Sequence, residues 1–397
     1  MNKLRIIATI VTLCGVISVN AADKQYEVVK MAHDASHLYL GTKSDGLIVV
    51  DKETGRQTLL CKGNGGLKEN RVRDVKTFGN KAALIDTHDR YSAPSWVEFI
   101  EDGKVTKSVQ VDDAVTSLPD GLSGFGLWLS PCIAFDATGG LWLTILDSWV
   151  CRCEGDTFTD ITEVAINRGY NYMITGMVFD GDGVLWLSNS YPDSLLCKMA
   201  DGKVEKFDMT AWANCIAIDA EGNKWIGGDV LAKYDGEEMT FYKGGNESAF
   251  DMAFDDAGRL WLMGQFSLFR FVGPAPDGGE DLTETMFTPT GKRYHYETGV
   301  FEEYELPVKG RILNCIHADG NQLYVAYGHG GLSVIDTTTG AARNIELSPS
   351  ADANSIDAPQ SLSPQSEVHS SFDLQGRRIA GTLAKGVYIR DGKKVVR

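Results

Sequence analysis

The chain has 397 residues, 43% of them hydrophobic and 23% charged, and its formal net charge at pH 7 is −16. This composition is typical of a soluble globular protein, and the length suits a repeat architecture better than one ordinary core. An acidic body repels nucleic acid and anionic lipid, so the charge disfavours both as partners and favours cationic or neutral ligands.

The first 21 residues have the pattern of a secretory signal peptide. Lys3 and Arg5 precede an apolar run over 6–19, and Ala21 closes a small-residue cleavage site. The apolar run is too short to span a membrane. We therefore predict cleavage after Ala21 and no transmembrane anchor in the mature chain.

A ten-residue unit occurs four times in the middle of the chain, as AFDATGGLWL, VFDGDGVLWL, AIDAEGNKWI and AFDDAGRLWL. In each unit the aspartate can accept hydrogen bonds from the backbone just after it, and the glycine can adopt the positive φ of a tight turn. The flanks are rich in β-formers, so each unit predicts a hairpin of two antiparallel strands. The repeat residues are Asp136, Gly139, Trp142, Asp180, Gly183, Trp186, Asp219, Gly222, Trp225, Asp255, Gly258 and Trp261.

Weaker copies extend the repeat in both directions. The stretch HLYLGTKSDGLIVVDKETGRQTLL (37–60) matches QLYVAYGHGGLSVIDTTTGAARNIEL (322–347), and both have a tyrosine in place of the tryptophan. A further copy over 77–87 has Ala83 at that position. The chain therefore contains seven repeat markers.

The spacing of the markers predicts the fold. Four of the six spacings lie between 36 and 44 residues, which fits four short strands per unit, and two longer gaps require insertions near 88–128 and within 274–300. We predict an all-β fold, a seven-bladed β-propeller of four-stranded antiparallel blades over 22–346. The repeated tryptophans would then fill the space between neighbouring blades.

The repeat units resemble those of propellers in the sensor domains of two-component regulators and, more loosely, streptogramin-lyase-type propellers. The resemblance covers about residues 26–347 and implies a fold rather than an activity.

The C-terminal part of the chain is predicted to be separate from the propeller. Residues 347–366 are rich in Ser, Pro and Ala and predict a linker. In 367–397, FDLQGRR and KGVYIRDGKKVV predict a small β-hairpin segment. This segment resembles the C-terminal sorting signal of type IX secretion in Bacteroidetes. The resemblance implies contact with that secretion machinery and export to the cell surface or the medium, with the periplasm as the alternative.

No catalytic or cofactor motif is found. HExxH, GxSxG, P-loop and dinucleotide-binding patterns are absent from the sequence, and no Cys or His spacing fits zinc, so we predict neither a cofactor nor a metal. The Asp–Gly turns join first and second strands, so we expect ligand contacts on the opposite rim, just after each second strand. The candidate ligand-binding residues are Lys43, Asp147, Asn189, Tyr191, Asp229, Gln265 and His329.

The favoured functional hypothesis is an exported ligand-binding or interaction module for a glycan or peptide. The alternative is a propeller lyase or hydrolase, since the resemblance to streptogramin-type lyases implies a histidine and carboxylates at the central mouth. His329, with Asp147 or Asp229 to orient it, is then the candidate general base. The sequence leaves the question of an enzyme open and favours binding.

Overall fold

Every secondary-structure element in the described residues is a β-strand, which confirms the all-β prediction. The chain divides into two units, 1–353 and 354–397. The computed structural model describes residues 24–87, 94–111, 131–145, 149–164, 173–190, 196–207, 212–244, 248–276, 286–287, 293–294, 296–350, 371–372, 387–390 and 393–396. The predicted signal peptide and most of the predicted linker lie outside these residues.

In the first unit the strands form antiparallel sets of four, which we call blades 1 to 7 in chain order, and blades 5 and 6 are joined in one eight-stranded sheet. Blade 1 is β1 (Val28–His33), β2 (His37–Thr42), β3 (Leu47–Asp51) and β4 (Gln57–Leu60). Blade 2 is β5 (Arg71–Phe78), β6 (Lys81–Thr87), β7 (Ser95–Glu101) and β8 (Lys104–Gln110). Blade 3 is β9 (Ile133–Phe135), β10 (Leu141–Ile145), β11 (Trp149–Glu154) and β12 (Thr157–Glu163). Blade 4 is β13 (Ile174–Phe179), β14 (Leu185–Asn189), β15 (Leu196–Ala200) and β16 (Lys203–Phe207).

Blade 5 is β17 (Ala213–Ile218), β18 (Lys224–Gly228), β19 (Leu231–Tyr234) and β20 (Met239–Lys243). Blade 6 is β21 (Asp251–Phe254), β22 (Leu260–Met263), β23 (Leu268–Pro274) and β26 (Tyr296–Tyr304), with the short pair β24 (Met286–Phe287) and β25 (Arg293–Tyr294) inserted. Blade 7 is β27 (Leu313–Asp319), β28 (Gln322–Tyr327), β29 (Leu332–Asp336) and β30 (Ala342–Ile345). In the second unit, β31 (Ser371–Phe372), β32 (Val387–Arg390) and β33 (Lys393–Val396) form one small antiparallel sheet.

The first strands of successive blades pack side by side. β1 contacts β5, and the series continues through β9, β13, β17 and β21 to β27, which contacts β1 again. Four-stranded sheets whose first strands surround one axis form a β-propeller, so that prediction is confirmed.

The two predicted insertions contain more strand than the sequence indicated. Strands β7 and β8 lie within the region 88–128, and β26 begins within 274–300. These strands carry no Asp–Gly–Trp unit, so the repeat pattern did not locate them. The start of β26 pairs in parallel with β20, and its remainder pairs antiparallel with β23, so one strand links blades 5 and 6.

Residues 346–350 pack along the last strand of blade 1. The Leu59 amide donates to the Ser350 carbonyl at 3.0 Å, and the Ser350 amide donates to the Gln57 carbonyl at 3.1 Å. The Gln57 side chain also donates to the Glu346 carbonyl at 2.9 Å and accepts from the Ser348 amide at 3.0 Å. The end of blade 7 is thereby attached to blade 1.

Each first strand is joined to the first strand of the next blade by a hydrogen bond. The bonded residues lie in the two strands or just before them. Five of these bonds use a polar side chain as donor and two use a carboxylate as acceptor. The bonds are Thr77 Oγ1 to His33 O, Ile133 N to Asp74 Oδ2, Cys132 Sγ to Ile174 O, Thr175 Oγ1 to Ala213 O, Asn214 Nδ2 to Ala249 O, Ile316 N to Asp251 Oδ2 and Asn314 Nδ2 to Val28 O. We call this set the inter-blade ring.

Each Asp–Gly–Trp unit is a turn closed by its aspartate. In blade 6, Asp255 Oδ1 accepts the backbone amides of Ala257 and Arg259, each at 3.0 Å, and Gly258 has a φ of 72°. The second oxygen, Oδ2, accepts the indole Nε1–H of Trp261 at 3.0 Å. The same aspartate–indole bond occurs for Asp136 and Trp142, Asp180 and Trp186, and Asp219 and Trp225, at 2.7–3.0 Å.

The indole bond explains how a polar N–H is buried between blades. Trp261 is 3% exposed and packs with Leu313 and Ile316 of blade 7. Trp186 is also 3% exposed and packs with Ala213 of blade 5. A buried indole needs an acceptor, and the turn aspartate supplies it from within six residues of the same chain segment.

We predict that Asp255→Ala lowers the free energy of unfolding by about 2 kcal/mol, because it leaves the buried Trp261 indole and two turn amides without an acceptor. Urea unfolding of the full chain measures the loss. In the Trp261→Phe background the same substitution is expected to cost less, since no indole donor remains. Asp256→Ala, at the exposed neighbouring position, serves as the control and is expected to change stability by less than about 0.5 kcal/mol. Equal losses for both aspartates would contradict the role given to Asp255.

Candidate functional site

A cavity of about 510 Å³ lies where the first strands begin, and we call it the mouth cavity. Every blade contributes at least one lining residue, from the start of its first strand or from the residues just before it. Lys43, which follows the second strand of blade 1, completes one side. The volume falls within the range of small-molecule sites.

The lining residues that the structure describes are basic on balance, although the chain as a whole is acidic. Among them are four basic side chains and two carboxylates, a net charge of +2 in a chain of −16. The six charged residues are Lys30, Lys43, Arg71, Arg73, Glu27 and Asp74. Lys43 Nζ lies 3.1 Å from Glu27 Oε1, and Arg73 Nε donates to Thr87 Oγ1 at 3.0 Å.

Lys30 touches solvent inside the cavity although protein surrounds it. Burial alone would lower the pKa of this ammonium, but the carboxylates of Asp74 and Asp251 raise the pKa well above its ordinary value. Asp251 is also held in place, since its Oδ1 accepts the Met252 amide and its Oδ2 accepts the Ile316 amide, each at 3.0 Å. Lys30 therefore stays charged where it lines the mouth cavity.

An apolar rim adjoins the cavity on blades 5 to 7. Trp212, Phe250 and Ile312 each directly precede a first strand and are 56%, 47% and 43% exposed. Phe266, in the loop between β22 and β23, is 47% exposed. Its neighbour Gln265 accepts the Leu313 amide through its carbonyl at 2.9 Å, which brings this loop beside Ile312. These four side chains are the apolar rim.

The structure places the predicted binding residues in different environments. Lys43 lines the mouth cavity, and Gln265 is exposed beside the apolar rim. Asp229 is exposed, accepts a hydrogen bond from Ser248 Oγ at 3.0 Å and lines a second cavity of about 200 Å³ between blades 5 and 6. Asn189 is 3% exposed, and its Nδ2 donates to Cys197 Sγ at 3.2 Å within blade 4, so it faces the protein interior.

His329 lies in the loop between β28 and β29 of blade 7. It is exposed and has a φ of 62°, in the left-handed region between two glycines. Among the residues that the structure describes, no hydrogen bond or ion pair joins His329 to Asp229. The other predicted partner, Asp147, and the predicted contact residue Tyr191 lie outside the described residues.

Sequence reasoning missed most of the charged lining. Lys30, Arg71, Arg73 and Asp74 lie at the starts of first strands, whereas the prediction considered only residues after second strands. The run RVRD at 71–74 was a usable signal, because two guanidinium groups at a strand start stand out in an acidic chain.

At the other end of the first strands a histidine pair joins blades 1 and 7. His33 Nδ1 and His317 Nε2 are 2.7 Å apart, and His33 Nε2 lies 3.4 Å from Asp319 Oδ1. Burial lowers the pKa of His317 to about 3, so this ring stays neutral and the pair acts as an inter-blade hydrogen bond. In the described residues no group of three or more His, Cys, Asp or Glu side chains is arranged to hold a metal ion.

Two buried carboxyl groups hold the segment that leads into Arg71. Asp86 Oδ2 accepts the Glu69 amide and Glu98 Oε1 accepts the Lys68 amide, each at 2.8 Å, and both acids have no solvent exposure. Burial, together with the adjacent Glu98 charge, raises the pKa of Asp86 to about 8. Asp86 is therefore the acid of this pair that keeps its proton at neutral pH.

The comparisons with known proteins support the fold. No family model and no curated protein matches the chain. Among solved structures, virginiamycin B lyase from Staphylococcus aureus is 14% identical and has a TM-score of 0.54, covering 77% of this chain and 93% of that one. YCF48 from Cyanidioschyzon merolae is 13% identical, with a TM-score of 0.50 and coverages of 77% and 94%. The extracellular domain of BT4673 from B. thetaiotaomicron is 18% identical, with a TM-score of 0.41 and coverages of 81% and 42%.

The likeness to virginiamycin B lyase and YCF48, with TM-scores of 0.54 and 0.50, shows a shared fold and transfers no activity to this chain. Within the described part of the chain, no helix is long and apolar enough to cross a membrane.

We predict that Asp86→Asn reduces the dependence of stability on pH. In the wild type, folded Asp86 keeps a proton that the unfolded chain releases near pH 4, so the free energy of unfolding falls as pH rises from about 4 to about 8. Asparagine at position 86 has no titrating carboxyl group, and its side-chain oxygen can still accept the hydrogen bond from the Glu69 amide. Urea unfolding at pH 5 and pH 8 measures the slope, with Asp182→Asn, at an exposed turn aspartate, as the control. An unchanged slope in Asp86→Asn would show that the pair is ionised throughout.

Proposed function

We propose that this chain is an exported, seven-bladed propeller that acts as a ligand-binding or interaction module for a glycan or peptide. Its ligand site is the mouth cavity together with the apolar rim. The proposal includes delivery to the cell surface of a Bacteroidetes-type bacterium, with the medium and the periplasm as alternatives. The signal-like residues 1–21 and the sorting-signal-like segment 367–397 support this location from sequence.

The observation that carries the proposal is the convergence of charged and exposed apolar side chains on one rim. Of the six large hydrophobic side chains that are exposed in the described residues, the four of the apolar rim lie at this end of the blades. Exposed apolar groups that cluster beside a charged cavity mark binding surfaces, because isolated ones would be scattered. The loops that carry them are positioned by a rigid frame.

A catalytic role has weaker support in the geometry. His329 is exposed, and its one described candidate partner, Asp229 of blade 5, accepts a hydrogen bond from Ser248, which lies between blades 5 and 6. The lyase or hydrolase alternative therefore stays a prediction from sequence. At 14% identity, the likeness to virginiamycin B lyase concerns the fold alone.

We predict that Phe250→Ala weakens binding of ligands found on a glycan and peptide array by about tenfold, because it removes an aromatic contact at the edge of the mouth cavity. Titration calorimetry with the best array ligand measures the change. Phe78→Ala is the matched control, since Phe78 is 38% exposed but ends β5, away from the mouth. If the folded wild type binds nothing on a broad array, or if both variants lose affinity equally, the proposed site is wrong.

A separate prediction addresses the enzyme alternative. If the chain only binds its ligand, neither the wild type nor His329→Ala converts candidate lyase and hydrolase substrates faster than the uncatalysed reaction. Chromatographic product analysis of both proteins measures this. Turnover by the wild type that is lost in His329→Ala would replace the binding proposal with a catalytic one.

A further inference from the structure

We infer that the joint between blades 7 and 1 is an acid-sensitive latch: protonation of both His33 and His317 opens this joint while the joints on either side of blades 4 and 5 stay closed. The latch belongs to the fold and does not depend on which ligand the mouth cavity takes. It stands on the place of the two imidazole rings in the propeller, on their spacing and on the groups around them.

The two histidines lie where the propeller closes on itself. His33 ends β1, the first strand of blade 1, and His317 lies in β27, the first strand of blade 7. The residues are 284 positions apart in the chain, so their rings meet only when the ring of blades is closed. At the mouth end, the same two strands are joined by the bond from Asn314 Nδ2 to the Val28 carbonyl.

The spacing of the rings limits how many protons the pair can hold. His33 Nδ1 and His317 Nε2 are 2.7 Å apart. A neutral imidazole has one donor and one acceptor nitrogen, whereas a protonated imidazole has two donors. One hydrogen can therefore lie between the facing nitrogens in the neutral pair and in the pair with one extra proton. When both rings are protonated, two N–H groups and two positive charges face each other, so the bond is lost.

The surroundings of His317 keep its ring neutral. Burial lowers the pKa of this imidazole to about 3, and the nearby His33 and lysine charges lower it further. The charged and titratable groups on the elements packed around it are His33 of β1, Lys52 after β3, Lys76 of β5, its cross-strand neighbour Tyr324 of β28, and Asp251 of β21, which bonds the adjacent Ile316 amide.

His33 takes up the first proton of the pair. Burial lowers the pKa of this ring too, but Asp319, whose Oδ1 lies 3.4 Å from His33 Nε2, opposes that effect. Asp34 and Asp256 also raise the pKa, and Lys52 lowers it. The second proton then has to enter a buried ring beside a charged one. An open joint exposes both rings to water and removes this conflict, so acid favours the open state.

The direction of the pH effect follows from the two states of His317. In the closed joint the ring stays neutral down to about pH 3, whereas in an open joint it binds a proton near the ordinary pKa of about 6.5. The stability of the joint is therefore fully present above about pH 6.5 and is lost as the pH falls toward 3. From His317 alone, the equilibrium constant for opening is about 30-fold larger at pH 5 than at pH 7.5.

The joints on either side of blades 4 and 5 use groups that gain no proton in this range. Their donors are the Cys132 thiol, the Thr175 hydroxyl and the Asn214 amide, and each donates to a backbone carbonyl. These joints are therefore the internal reference for the latch.

The latch also bears on the mouth cavity. Val29 and Lys30 of β1 and Asn314 of β27 line that cavity. An open joint separates the two strands that carry these residues, so acid would break one wall of the mouth.

The test is hydrogen exchange of the full chain at pH 7.5 and pH 5, followed by mass spectrometry and corrected for the intrinsic exchange rate. We expect amides of β1 and β27 to lose about tenfold or more of their protection at pH 5, while amides of β13 and β17 keep theirs. Equal loss in all four strands would show that the propeller opens as one unit, and no loss in β1 and β27 would show that the pair tolerates both protons. Either result overturns the latch.

A double variant tests whether the histidines cause the effect. In His33→Asn with His317→Gln, the amides can keep one donor–acceptor bond but do not titrate, so the acid-induced loss in β1 and β27 is expected to disappear. His329→Gln, at an exposed histidine of blade 7, is the control and is expected to behave as the wild type. Thermal unfolding at pH 7.5 shows whether each variant folds.

If the double variant does not fold, His317→Gln alone replaces it. This variant removes the buried titration and is expected to reduce the acid-induced loss by about tenfold or more. A loss in His317→Gln as large as in the wild type, or an equal reduction in His329→Gln, would assign the acid effect to other groups.

Discussion

A blade in a propeller buries both of its faces only while two neighbours stay beside it. In this chain a hydrogen bond at every joint of the inter-blade ring meets that constraint. The bonds are chemically mixed, since Asp74 accepts an amide, Asn314 donates to a carbonyl and Thr175 uses a hydroxyl. What the joints share is a position near the start or end of a first strand, whereas the residue type varies.

The same positions also form the wall of the mouth. Asp74, Thr175, Asn214 and Asn314 line the cavity and tie the blades together. The basic side chains that line the cavity beside these joints come from blades 1 and 2 and are Lys30, Lys43, Arg71 and Arg73. This division of labour lets the mouth be rigid and still carry a charge opposite to that of the body.

The sequence revealed the parts of the fold that depend on local bonds. Asp255 and Trp261 interact within six residues, so their unit repeats visibly, and hairpins and blades could be predicted from it. The mouth was harder to predict because Lys30 and Arg71 meet only when the ring has formed. Asn189 differs from Lys43, since it is buried within blade 4, where its side chain bonds to Cys197.

The aspartate turns and the ring closure differ greatly in sequence separation, and this has a consequence for the order of folding. A hairpin that needs contacts over six residues can form within microseconds. The bond from Asn314 to Val28 joins residues 286 positions apart and loses far more chain entropy. We therefore expect the aspartate turns to form early in folding and the joint between blades 7 and 1 to form late.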